Sequence, residues 1–155
     1  MNFIVCGPPG SGKTTYVKTH RSSGDLVVDI DAIAHAITGL PFHEKPENLY
    51  SVVMGVRDYL ISRISRNGND WYNSWVIMGG ARASDRIELA RTLNAEVIVL
   101  EIDTETCVKR IQQDKDRADY VRRLYPALIE KWWRNYQPDE RDTKITLRDQ
   151  QGRGA

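Results

Sequence analysis

The sequence has few of the features that mark secreted or membrane proteins. Only two cysteines occur among its 155 residues. Because Cys6 ends an apolar run and Cys107 lies in a helical pattern, we predict two buried thiols rather than a disulfide or a metal pair. No stretch approaches the ~18 apolar residues of a membrane span. Met1 leads straight into a β-like run, without the basic and apolar segments of a signal peptide. Together these absences predict a cytoplasmic protein.

The chain also lacks an excess of charge of either sign. Its 22 basic and 21 acidic residues give a formal net charge of +1, which excludes a global field that attracts nucleic acid or membranes. Any such partner must be recognised by a local patch. The composition, 41% hydrophobic and 28% charged, is that of a globular protein. From the length we expect one domain over residues 1–149 and a flexible tail over residues 150–155.

Short apolar runs alternate with helical patterns along the chain. We predict strands at residues 3–6, 26–28, 75–78, 97–100 and, from a weaker pattern, 142–147. We also expect a long helix between Pro46 and Asn67-Gly68, a capped helix that starts at Asp85, and a break between two helical pieces near Pro126. Continuous apolar strands that alternate with helices indicate an α/β domain whose parallel sheet is covered on both faces.

The most specific motif follows the first predicted strand. Residues 7–14 match the phosphate-binding pattern Gly-x-x-x-x-Gly-Lys-Thr at the start of a helix. Glycines allow backbone N–H groups to converge on phosphate oxygens at a helix N-terminus. We expect Lys13 to reach the β- and γ-phosphates of ATP or GTP, and the Thr14 hydroxyl to bind Mg²⁺. A tight turn would explain Gly-Pro-Pro-Gly, but not the Gly-Lys-Thr triplet that follows it. The predicted nucleotide site comprises Gly7, Pro8, Pro9, Gly10, Ser11, Gly12, Lys13, Thr14 and Thr15.

Two carboxylates follow the second predicted strand. Asp29 and Asp31 bracket Ile30 at the strand end, and ligands of open α/β sheets bind outside the carboxyl ends of the strands. There the pair can orient a metal-bound water and accept a proton from an attacking hydroxyl. The alternative is that Asp31 caps the next helix. Because a cap requires only one acid, the pair favours a function at this edge.

From Phe3 to Tyr136 the chain resembles the P-loop kinase family, in the branch of polynucleotide 5′-hydroxyl kinases and, more loosely, shikimate kinases. The phosphate loop and Asp29-Ile30-Asp31 carry the resemblance. It implies a three-layer P-loop NTPase fold with a mostly parallel five-stranded sheet and a helical lid. It also implies a phosphotransferase that depends on ATP and Mg²⁺. In this family pattern Asp31 activates the acceptor hydroxyl, and Asp29 joins Thr14 at the metal.

The chain departs from the family pattern where an acceptor would bind. Ala34 stands where the polynucleotide kinases carry an Arg, and the third strand ends in Gly79-Gly80, without the acid that supports Mg²⁺ in many P-loop proteins. The glycine pair resembles the run by which shikimate kinases hold their acceptor. Gly79, Gly80 and Arg82 are therefore candidate acceptor residues, with a tight turn and a solvated arginine as the alternatives.

Residues 109–134 form a locally basic segment, with eight basic and four acidic residues and hence a charge of +4. The segment resembles the lid of polynucleotide kinases, which implies that Arg117 and Arg110 stabilise the transferring phosphate. Arg122 and Arg123 are candidate contacts to a nucleic-acid strand, although a solvated helix face explains several of these charges. The leading acceptor is a polynucleotide 5′-hydroxyl, followed by a nucleoside, a nucleotide or a small hydroxylated molecule. A motor or regulatory ATPase and a nucleotide sensor are the alternatives of other classes.

Overall fold

A computed structural model describes residues 1–66 and 68–152. Its centre is a five-stranded sheet in the order β2-β3-β1-β4-β5, and every pair of neighbouring strands is parallel. This confirms the predicted α/β fold class. In chain order the elements are β1 Asn2–Cys6, α1 Lys13–His20, β2 Leu26–Val28, α2 Ile30–Thr38, a 3₁₀ turn Glu47–Leu49, α3 Tyr50–Ile64, β3 Ser74–Met78, α4 Ala83–Leu93, β4 Ala95–Glu101, α5 Thr104–Gln113, α6 Asp119–Asn135, β5 Thr143–Thr146 and α7 Leu147–Gln151.

Two hydrophobic cores lie on opposite faces of the sheet, which makes the domain three layers thick. Strand residues alternate between the faces, so that Val5 belongs to one core and its neighbour Ile4 to the other. Helices α1, α5 and α6 contribute to the first core, and α3, α4 and α6 to the second. Cys6 and Cys107 are fully buried free thiols, as the sequence predicts.

The parallel sheet brings the carboxyl ends of its strands to one edge. β1 lies between β3 and β4, with β2 and β3 on one side of it and β4 and β5 on the other, so the strand order changes direction at β1. In open α/β sheets this switch point is where ligands bind. The loop after β1 therefore lies at the centre of that edge, flanked by the segments that follow β3 and β4.

Two predicted helix starts differ from the structure. Pro46 has extended backbone (ψ 135°) before the 3₁₀ turn, so α3 begins only at Tyr50. The other helix, α4, begins at Ala83 with Arg82 at its N-cap, which places Asp85 inside the first turn rather than at the cap. The predicted stop at Asn67 lies outside the described residues. Within residues 1–66 and 68–152, no helix combines the length and the apolar character needed to cross a membrane.

The predicted break at Pro126 is wrong, because α6 runs through it without interruption. Proline lacks the N–H that would bond to the preceding turn. Val121, Ile129 and Trp132 are nevertheless buried along one side of the helix, both before and after Pro126. The packing of these residues on both sides of Pro126 offsets the free-energy cost of the missing hydrogen bond. At the end of the chain, Gln150 belongs to helix α7 rather than to a tail, and residues 153–155 lie outside the described part.

Candidate nucleotide and acceptor site

The loop between β1 and α1 has the geometry of an anion cradle. Gly10 and Gly12 have positive φ angles of 78° and 90°, and Gly12 is the N-cap of α1. A Cβ at Gly10 would lie 2.7 Å from the Cys107 carbonyl oxygen, so this position requires glycine. The first turn of a helix has backbone N–H groups without intrahelical partners. Those of α1 therefore face the loop and attract anions.

Two polar side chains in the loop fit a phosphate ligand. Lys13 Nζ donates to the carbonyl oxygens of Gly7 and Pro8, each at 2.9 Å. Burial lowers the pKa of Lys13 to about 8, although Asp31 and Asp29 favour its charged form. Ser11 Oγ is buried and has no hydrogen-bond partner among the described residues. Phosphate oxygens would pair with the partly buried ammonium and with the unpartnered hydroxyl.

A cavity of about 660 Å³ lies beside the loop. Arg110, from α5, donates through Nη1 to Ser11 O (3.1 Å) and through Nη2 to Gln150 Oε1 (2.9 Å). Gln150 Nε2 also donates to Ser11 O, at 3.1 Å. These contacts place Arg110 on the phosphate loop itself. The cavity is lined by Gly12, Thr15, Tyr16, Thr19, His20, Arg110, Ile145, Asp149 and Gln150.

Asp29, not Asp31, caps helix α2. Its carboxylate accepts from the Asp31 backbone N–H at 3.0 Å and is 5% exposed. Burial and the negative charge of Asp31 raise the pKa of Asp29. Asp29 and Thr14 line one cavity of about 580 Å³, and their oxygen atoms are the ligand type that Mg²⁺ prefers. The described residues contain no group of three or more His, Cys, Asp or Glu that could hold a metal alone, so phosphate oxygens and water would have to complete a shell.

Asp31 lies in the first turn of α2 and is held by two residues that the sequence analysis did not identify. Lys45 Nζ donates to Asp31 Oδ1, and His43 Nδ1 lies 3.2 Å from Asp31 Oδ2. Burial raises the pKa of Asp31, but the hydrogen bonds from His43 and Lys45 outweigh it and hold that pKa well below its usual range. The carboxylate is therefore ionised and already surrounded by donors. In the sequence, the sign of this contact is that two basic residues, His43 and Lys45, follow α2 within a few positions.

Arg117 occupies the segment between α5 and α6 and is connected to the same network. Its Nε donates to Asp114 Oδ2 at 2.9 Å, and its guanidinium lies 4.5 Å from the centre of the Tyr125 ring. Its Nη1 is buried without a hydrogen-bond partner among the described residues. His43 Nε2 lies 4.0 Å from Asp114 Oδ2. His43 thus stands between Asp31 and the Asp114–Arg117 pair.

The glycine pair after β3 is tied into the scaffold. Gly79 O accepts from Gly7 N at 3.1 Å and from Trp132 Nε1 at 2.8 Å. Gly80 O accepts from Arg86 Nη1 at 2.7 Å, and Gly80 has φ 62°. Both carbonyl oxygens are therefore occupied by protein donors. These contacts hold the turn after β3 in place and leave the role of Gly79 and Gly80 in acceptor binding a prediction.

The remaining predicted acceptor residues do not converge on Asp31 in this structure. Arg82 is exposed at the N-cap of α4, and Arg123 is exposed on α6. Arg122 Nη1 lies 3.4 Å from Asp119 Oδ1 in the same helix, and its Nε is buried without a partner among the described residues. Among residues 1–66 and 68–152, no hydrogen bond or ion pair joins these three arginines to the phosphate loop.

Comparisons with known proteins agree with this fold. A gluconokinase from Sinorhizobium meliloti 1021 superposes with a TM-score of 0.60 at 12% identity, over 94% of this chain and 82% of that one. A shikimate kinase from Bacteroides thetaiotaomicron gives 0.59 at 14% identity, over 94% and 86%. A chain of the Pnkp1/Rnl/Hen1 RNA repair complex gives 0.60 at 14% identity, over 88% of this chain but 46% of that one. Identities this low show the shared fold alone.

The sequence itself identifies the family. A comparison with proteins of curated function finds no significant match. The family model described as AAA domain, however, matches residues 3–138, which includes the phosphate loop, Asp31 and Arg117. The kinase-like sheet order and the phosphate loop are consistent with that match. The chain therefore belongs to the AAA domain family of P-loop proteins, with the fold of P-loop kinases.

Proposed function

We propose that this protein is a Mg²⁺-dependent phosphotransferase that moves the γ-phosphate of ATP to a hydroxyl acceptor. One observation carries the proposal: an ionised carboxylate, Asp31, lies at the sheet edge that holds the phosphate loop, with donors on both of its oxygens. An acceptor hydroxyl is also such a donor. A protein that only bound a nucleotide would have no need of this second carboxylate.

The nucleotide side of the reaction is supported by the phosphate loop. The free N–H groups of α1, the Lys13 ammonium and the unpaired Ser11 hydroxyl can bind the phosphate oxygens. Thr14 and Asp29 would hold Mg²⁺, which neutralises phosphate charge when bound. The cavity beside Arg110 and Gln150 has room for the base and ribose. ATP, rather than GTP, is the choice that the resemblance to P-loop kinases favours.

Asp31 and Arg117 would carry the chemistry on the acceptor side. The proton of the attacking hydroxyl passes to an Asp31 oxygen as the new O–P bond forms and the bond between the γ-phosphorus and the β–γ bridging oxygen breaks. Charge on the transferring group is spread over its oxygens, and a nearby arginine stabilises it. Arg117 has a buried Nη1 without a partner among the described residues, which suits that role. Arg110, on the phosphate loop, would hold the bound nucleotide.

Two kinds of acceptor are compatible with this mechanism. Proteins of similar fold include a gluconokinase, a shikimate kinase and a chain of an RNA repair complex. Exposed Arg123 and the neighbouring Arg122 leave a polynucleotide 5′-hydroxyl as a candidate. Gly79, Gly80 and Arg82 leave a small hydroxylated molecule as the other candidate. A small hydroxylated molecule bound at Asp31 itself needs neither set of residues.

Incubation with γ-labelled ATP, Mg²⁺ and a panel of acceptors tests the proposal. The panel contains 5′-hydroxyl oligonucleotides, nucleosides, sugars and sugar acids. Label in an acceptor supports a kinase, label only in free phosphate indicates an ATPase, and intact ATP indicates a nucleotide sensor. Lys13→Ala is the control, since it should abolish tight binding of a fluorescent ATP analogue while it preserves the fold.

A further inference from the structure

Lys45 occupies one of the positions from which an acceptor hydroxyl would donate to Asp31. Its ammonium donates to Asp31 Oδ1, and both side chains are 24% exposed. His43 approaches the other carboxylate oxygen at 3.2 Å. A hydroxyl that gives its proton to Asp31 must first hydrogen-bond to one of these oxygens. Without a bound acceptor, Lys45 therefore makes a hydrogen bond to Asp31 of the kind that the acceptor hydroxyl would make.

A displaced Lys45 has space to move into. It lines a cavity of about 400 Å³ between residues 40–46 and helix α6, which is large enough for a small metabolite or nucleoside. Most of the wall is apolar or aromatic, and Glu44 is its acidic residue. An ammonium that loses its carboxylate in such surroundings needs a new anionic partner. The cavity is lined by Leu40, His43, Glu44, Lys45, Pro46, Tyr120, Val121, Leu124, Tyr125 and Leu128.

We propose that Lys45 is a specificity-determining residue, and that the acceptor carries an anionic group, a carboxylate or a phosphate, close to its reactive hydroxyl. The inference rests on the proposed phosphotransfer at Asp31 and names the class of its acceptor. On binding, the hydroxyl replaces Lys45 at Asp31, and the anionic group receives the released ammonium.

Charge compensation is the physical reason for this selectivity. A neutral acceptor breaks the Lys45–Asp31 pair and leaves a partly buried ammonium without a partner, which is costly. An anionic acceptor replaces the Lys45–Asp31 ion pair with a new ion pair to Lys45, so the displacement costs little free energy.

Matched pairs of acceptors test the inference. Comparison of gluconate with glucose measures the effect of a carboxylate. Comparison of a nucleoside 3′-monophosphate with its nucleoside measures the effect of a phosphate. In the γ-labelled ATP assay the wild-type protein should prefer the anionic member of at least one pair. Lys45→Ala should lower kcat/KM for that member by about 10- to 100-fold, the scale of one lost charge-assisted hydrogen bond. The loss should appear mainly in KM, and the neutral member should be used equally well or better.

Three variants separate charge from packing. Lys45→Arg should keep the preference, whereas Lys45→Gln, which preserves most of the side-chain volume, should lose it. Lys131→Ala, which removes an exposed lysine from α6, should leave it unchanged. Equal use of both members by the wild-type protein, including the case in which Glu44 accepts the released ammonium, would overturn the inference. A preference that survives Lys45→Ala would do the same.

A direct binding measurement keeps the inference separate from the proposed function. If the wild-type protein transfers phosphate to no acceptor, the proposed function fails. The affinities of the same paired acceptors are then measured by titration in the presence of a non-hydrolysable ATP analogue and Mg²⁺. These affinities test the role of Lys45 independently of phosphate transfer. Tighter binding of the anionic member that disappears in Lys45→Ala supports the anion site, and any other result overturns it.

Discussion

Arg86 offers a sharp test of how the site is supported. The side chain is fully buried and donates to both carboxylate oxygens of Asp142, at 3.3 and 2.5 Å. It also donates to the carbonyl oxygens of Gly80, Ala81 and Gln137 at 2.7 to 3.0 Å. Arg86→Met keeps a long apolar stem but removes every one of these donors. The turn after β3 would then lose its main support.

The expected loss of stability follows from the burial of the partner. The Asp142 side chain is 3% exposed, so the substitution leaves a buried carboxylate without its cation. Such a break costs about 3–5 kcal/mol. Unfolding entropy is about 2.1 cal/mol/K per residue, or about 0.33 kcal/mol/K for 155 residues. The melting temperature should therefore fall by about 9–15 °C, as measured by circular dichroism or calorimetry.

Two controls separate the ion pair from a general effect of substitution. Arg91→Met changes an exposed residue of the same helix and should alter the free energy of unfolding by no more than about 0.5 kcal/mol. The double variant Arg86→Met with Asp142→Leu removes both charges and should be more stable than Arg86→Met alone. A loss below about 1 kcal/mol in the single variant would refute the argument. So would a double variant that is less stable than the single one.

Three further outcomes are expected. Asp31→Asn should retain ATP affinity within a few-fold but lower the transfer rate by about 10²-fold or more in the labelled-ATP assay; unchanged turnover would remove Asp31 as the base. If a single-stranded 5′-hydroxyl oligonucleotide is the acceptor, Arg122→Ala with Arg123→Ala should reduce the slope of log affinity against log salt by about one to two contacts, each worth about 0.7. Salt-independent binding would instead favour a small acceptor. Burial raises the pKa of Cys6 to about 12 and that of Cys107 to about 11, so both thiols should stay protonated and resist a thiol-specific reagent at pH 8. Modification at the rate of the unfolded chain would contradict this.

Local sequence signals account for some helix ends but not for others. Asp103 caps α5 through a contact within three residues, since its carboxylate accepts from Thr106 N at 3.0 Å. Proline at position 126 indicated a break that does not occur, because burial on both sides of it maintains α6. Asp85 resembles a cap but lies in the first turn of α4. A cap made within three residues is a local interaction, whereas helix continuity depends on packing against distant residues.

The candidate site likewise combines features set by neighbouring residues with contacts between distant ones. The positions of the strands along the chain and the phosphate loop follow from the sequence, because periodicity, glycine geometry and the Gly-Lys-Thr triplet act over a few neighbouring residues. The support of that loop was decided by tertiary structure, since Gln150 reaches Ser11 O across 139 residues of chain. So was the pairing of Asp31 with His43 and Lys45, which lie 12 and 14 residues away. A polar side chain of an irregular segment has no periodicity that specifies its partner; only the folded path of the backbone brings the two charges together.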